Sequence, residues 1–180
     1  MIMVVGWSMV RPGPGPAPAG GMSGGGGVNP NGPGVTDITQ MTPREAADRL
    51  FDRVMRTISA GDTAAALGFQ PMAVQAYQRA EPLDADGLFH QSLLELLTDP
   101  PAALATAKRI LEMDPDHILG LGAAAEAARA MGDDEAAAEF YRHLLEAYDA
   151  QAARSLPEYE GHSGLLSAYR AEAEAFLASR

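Results

Sequence analysis

The chain has 180 residues, no cysteine, and 24 acidic against 13 basic side chains, for a net charge of -11 at pH 7. Without cysteine there can be no disulfide, thiolate metal site or cysteine catalysis. The acidic balance argues against nucleic acid as a partner, because phosphate binding needs a basic patch.

The acidity is unevenly placed: all 24 acidic residues lie at or beyond Asp37, and up to Thr36 the only charged side chain is Arg11. Residues 1–11 open with ten apolar or small residues and close on Arg11. Ten residues are too few to span a bilayer, and no basic residue precedes them as in a signal peptide. Trp7 and Arg11 nevertheless sit where interfacial anchors belong. The segment is therefore expected to be the remnant of an N-terminal membrane anchor that begins upstream; the alternatives are a frayed apolar tail or a strand-like piece docked on the repeats that follow. Residues 12–41 form a Pro/Gly-rich linker, semi-stiff at 12–18 and flexible through the glycines at 24–27. It has too little apolar surface to offset ordering entropy. No Gly-Lys-Ser/Thr follows the glycines, so they are not a phosphate loop.

A helical domain is predicted over 42–180. Thr42, Pro43 and Glu45 form a helix start with a capping box, and Leu50, Phe51, Val54, Met55 and Ile58 mark an apolar face. Gly61-Asp62 and Ala65-Ala66 then give a turn and a small pair. The same features recur 37 residues on, at Asp99 and Ala102-Ala103, so the second helix here must absorb about three extra residues around Pro71, which is positioned to break or kink it.

The next two windows, 84–117 and 118–151, are each 34 residues long and align without a gap. Asp99 matches Asp133, Ala102-Ala103 match Ala136-Ala137, and Leu111-Glu112 match Leu145-Glu146. Each window reads as helix, turn, helix. Thr98-Asp99-Pro100 and Gly132-Asp133-Asp134 supply the turns and caps. The alanines allow close approach, and Ala107, Ile110 and Leu111, like Phe140, Tyr141, Leu144 and Leu145, form a stripe. The second helix of the last window runs to about Arg154, and Leu156-Pro157 ends it. A last helix over 163–178 buries Leu165, Leu166, Tyr169, Ala173, Phe176 and Leu177 and serves as a cap.

On these residues the chain resembles the tetratricopeptide repeat family over 42–151. Leu121, Gly132-Asp133, Ala137 and Phe140-Tyr141 stand at family positions, and Met113-Asp114-Pro115-Asp116 is similar to the family's repeat ending. Asp149, Gly87, Gln91 and Ala125 depart from the pattern. The resemblance implies an all-α fold of antiparallel helical hairpins stacked as a short right-handed superhelix with a C-terminal capping helix. It also implies a scaffold or adaptor that binds another protein or a peptide, with no cofactor and no enzymatic activity. The alternatives are a self-associating structural scaffold and, last in order, a metal-dependent enzyme. Repeat proteins with an anchor and a tether are often bacterial assembly or biogenesis factors, which by analogy places the domain at an inner membrane, on its periplasmic or cytoplasmic side.

Carried over by register, the peptide-binding concave face would comprise Asp48, Phe51, Met55, Leu88, Ser92, Glu95, Leu119, Gly122, Glu126 and Arg129. The Lys and Asn that clamp a C-terminal carboxylate in some members are replaced here by Phe51, Met55, Leu88 and Ser92, which argues against that mode. Among catalytic or metal-like patterns, Glu139, His143 and Glu146 share a helix face, but such a face is ordinarily solvated and charge-paired. Asp84-Ala85-Asp86-Gly87 lacks the spacing of a calcium loop and reads as a cap and turn. His90 lies beside Leu93 and Leu94 and reads as semi-buried. His162 with Ser163 lacks the partners of a triad.

Overall fold

A computed structural model describes residues 41–180. The expected anchor segment (1–11) and, but for Met41, the linker (12–41) lie outside the described residues. Thr42–Arg180 is one compact unit. It consists of α1 (Pro43–Ser59), α2 (Thr63–Arg79), α3 (Ala85–Leu96), α4 (Pro100–Met113), α5 (Ile118–Ala130), α6 (Asp134–Ala152), α7 (Pro157–Gly161) and α8 (Ser163–Ala178). No strand occurs among the described residues, and no helix there is long and apolar enough to cross a membrane. The helices pack as neighbouring pairs, α1 with α2, α3 with α4 and α5 with α6, and α8 rests on α6 and α5. The fold is an all-α helical repeat.

Local chemistry sets the helix ends. Thr42 and Glu45 make a reciprocal capping box. Asp62, Asp84, Asp99 and Asp133 each accept the amide of the residue three positions on, satisfying a donor that has no partner within the helix. Gly61 and Gly132, at φ +81° and +76°, take the left-handed conformation that ends α1 and α5. The 34-residue windows coincide with hairpins α3/α4 and α5/α6.

The three extra residues of the first hairpin are absorbed by α2, 17 residues long against 14 in α4. Pro71 does not break α2, which runs through it. The proline leaves the Leu67 carbonyl without its amide donor, and Leu67 is exposed, so water can serve the carbonyl instead.

The centre of the array is α5. Ten of its 13 residues are buried, and it touches α3, α4, α6 and α8. Such encirclement is possible because the helix is thin: its sequence is ILGLGAAAEAARA. A Cβ at Gly120 would press on Ile110 and Leu111 of α4, and one at Gly122 would overlap the Tyr169 ring of α8. One continuous core results, running from Ala47 to Ala173.

Gly122→Ala tests this close approach. Alanine improves helix propensity by about 1 kcal/mol, whereas overpacking costs roughly 1–3 kcal/mol. Because the clash is with a buried ring, the expected result is net destabilisation, with Tm lowered by about 5 °C. A rise in Tm on thermal unfolding would mean that α8 can back away freely.

Candidate functional site

The structure covers most of the surface that the register assigned to a peptide. Phe51, Leu88, Ser92, Glu95, Leu119 and Gly122 are buried, and Met55, Asp48 and Glu126 are half-buried. Phe51 stacks on His90 of α3 at a centroid distance of 4.0 Å. Glu95 turns towards α4, accepting from Thr106 Oγ1 at 2.6 Å and from Gln91 Nε2 at 2.7 Å. Gly122 lies under Tyr169, Tyr169 Oη donates to Glu126 Oε2 at 3.0 Å, and the exposed Arg129 pairs with Glu172. On α5, then, the expected groove positions Gly122, Glu126 and Arg129 face α8. Adjacent helical positions differ by about 100° around the axis, so one step of register exchanges an open face for a helix–helix contact.

Glu126 carries the consequence of that closure. Burial, reinforced by the nearby charge of Glu172, pushes its pKa up to about 7. Burial likewise raises the Tyr169 phenol well above its ordinary value, so the hydroxyl remains a donor.

The most concentrated polar chemistry lies where α8 begins. Asp86 and His90, one helical turn apart on α3, meet His162 at the α7–α8 junction. His162 Nε2 is 3.0 Å from Asp86 Oδ1 and 3.2 Å from His90 Nε2, while His90 Nε2 is 3.7 Å from Asp86 Oδ1. The side chains of Asp86, His90 and His162 retain 29%, 12% and 21% exposure, so the cluster sits at the edge of the core.

The groups around the cluster orient it. Tyr77 Oη is 2.6 Å from Asp48 Oδ1 and 3.0 Å from His90 Nδ1. A carboxylate only accepts, so the single phenolic proton goes to Asp48, and His90 Nδ1–H donates to the phenol oxygen. The lone pair of His90 Nε2 therefore faces Asp86 and His162. Burial, with Asp48 beside it, holds the Tyr77 phenol above its ordinary pKa, and burial lowers that of His90, which keeps the imidazole neutral. Arg44 bridges Asp48, Asp84 and the second oxygen of Asp86, at 2.9, 2.6 and 2.6 Å. Burial works against the charge on Asp86, yet the His162 hydrogen bond and the Arg44 guanidinium hold its carboxyl below the usual range.

The sequence pattern offered a different trio. His143 points to Asp116, with Nε2 and Oδ1 2.7 Å apart, and Glu139, His143 and Glu146 do not converge. Asp84 is a cap, as its position suggested. Asp86 and His90 stand four positions apart, though the sequence pattern read them as part of a cap and as a semi-buried residue; His162 lies 72 residues beyond His90, and no spacing rule joins it to them.

The raised pKa of Glu126 makes stability depend on pH. A carboxyl that holds its proton more tightly folded than unfolded disfavours folding as pH rises from its ordinary 4.5 to about 7. Glu126→Gln, which keeps an acceptor for Tyr169, is expected to raise Tm by about 5 °C at pH 8 and to change it little at pH 5. Equal shifts at both pH values in a thermal melt would show that Glu126 is not protonated on folding. Comparisons of the chain with protein-family models, with curated proteins and with solved structures found no match.

Proposed function

We propose that the chain is a protein-binding scaffold built on tetratricopeptide-like repeats, and that its partner docks on the outer face of α2 rather than in a concave groove. Repeat hairpins present large surfaces without forming a reaction centre. The observation that carries this reading is the contrast among the second helices of the three hairpins. The solvent face of α4 carries Lys108 and Glu112, and that of α6 carries Asp134, Glu135, Glu139, Arg142 and Glu146. In α2, residues 63–78 contain no charged side chain, although the chain as a whole carries a net charge of -11.

On that face Leu67 and Met72 are 40% and 56% exposed, with Ala64, Gly68 and Pro71 beside them. A helix face with exposed large apolar residues and no charged side chain before Arg79 suits a partner's apolar side chains. The apolar residues 1–10, Arg11 and the Pro/Gly run support tethering of the scaffold to a membrane.

The test pairs the full chain with a Leu67→Glu/Met72→Glu variant as baits in a crosslinking pull-down from native cells. The wild type is expected to enrich one protein, and the variant to lose it at unchanged helix content and Tm, since neither side chain is in the core. Identical capture by both baits would remove α2 as the docking face. A mass that rises with concentration in the wild type alone would replace the adaptor with a self-associating scaffold.

A further inference from the structure

We propose that Asp86, His90 and His162 bind a divalent first-row transition metal of the Zn2+ class, and that the ion staples α3 to the start of α8. The argument is geometric. Edges of 3.0, 3.2 and 3.7 Å join Asp86 Oδ1, His162 Nε2 and His90 Nε2. The point equidistant from these atoms in their plane lies about 1.9 Å from each, and zinc bonds to nitrogen and carboxylate oxygen are roughly 2.0–2.2 Å. A small step out of that plane reaches bonding distance to all three atoms. Ligands around a tetrahedral ion at such bond lengths are about 3.3 Å apart, close to the edges observed.

The surroundings agree with this geometry. The Asp48–Tyr77–His90 hydrogen-bond chain holds His90 in the tautomer whose Nε2 lone pair faces the site, the usual support for a metal-bound histidine. Phe51, stacked on the His90 ring, and Phe89, edge-on to the His162 ring at 5.1 Å, restrict both imidazoles. Asp48, Asp84 and Asp86 face only the Arg44 cation, and a dication balances the remaining negative charge. Two imidazoles and one carboxylate favour Zn2+, Co2+ or Fe2+ over Mg2+ or Ca2+, which take oxygen ligands. The three residues remain partly exposed, so water can complete the coordination.

Chelator-stripped full chain titrated with Co2+ is expected to saturate at one ion per chain, with visible absorption typical of imidazole-bound, low-coordinate cobalt. Zn2+ should displace the colour and raise Tm by about 5 °C. His162→Gln, which leaves the Phe51–His90 stack intact, should weaken binding by more than the roughly 10–100-fold that losing a supporting group costs. His143→Gln should bind like the wild type. If His162→Gln loses helix content, Asp86→Ala carries the same test. The proposal is overturned if wild-type absorption does not saturate and remains that of the aquo ion, or if His162→Gln binds Co2+ as tightly as the wild type.

Discussion

The architecture depends on the thinness of α5. A helix with ten of its 13 residues buried must be largely apolar, and to be surrounded at close range it must also be small. Gly120 and Gly122, with Ala123, Ala124, Ala125, Ala127 and Ala128, meet both conditions. Gly120 lets the α4 side chains Ile110 and Leu111 approach the backbone, and Gly122 does the same for Tyr169. Larger residues here would force α4 and α8 outward, and the core could not remain continuous from the first hairpin to the last helix.

Closure by α8 has two chemical consequences. It places Glu126 in a part-buried contact with Tyr169, at 3.0 Å, and beside Glu172. A carboxyl in that position holds its proton near neutrality because ionisation would leave a charge in a medium that solvates it poorly. Closure also brings His162 to Asp86 and His90 on a helix that belongs to an earlier hairpin. At the centre of α8 the groups bury one another; at its start they stay partly open to solvent. The difference follows from position, since the α7–α8 turn sits at the rim of the core and Tyr169 lies over the middle of α5.

The closed interior also bears on how such a protein would meet a partner. A groove along α3 and α5 would need their side chains free, and the contacts of Phe51 with His90, Glu95 with Thr106 and Arg129 with Glu172 occupy them. The largest exposed apolar side chains of the described residues are Leu67, Met72, Met113 and Met131. Of these, Leu67 and Met72 share one helix that has no charged side chain before Arg79, whereas Met113 and Met131 stand at helix ends within two residues of charged side chains.

The sequence by itself determined the all-helical class, the hairpin boundaries and the caps. The capping box at Thr42, the aspartates at 62, 99 and 133, the glycines at 61 and 132 and the last helix over 163–178 all depend on local backbone chemistry within a few residues. It also indicated that α2 must be longer than α4, because a repeat offset is a count along the chain. Only the tertiary structure decided which side of each first helix faces solvent, that Pro71 is carried inside a helix, and that His162 joins Asp86 and His90. The first turns on a rotation of one residue step about the axis, which an apolar pattern cannot resolve when a helix such as α5 has only Glu126 and Arg129 as charged residues among its 13. The second depends on the exposure of Leu67. The third depends on where a chain segment more than 70 residues away comes to rest, and that position is set by packing between helices rather than by any local sequence signal.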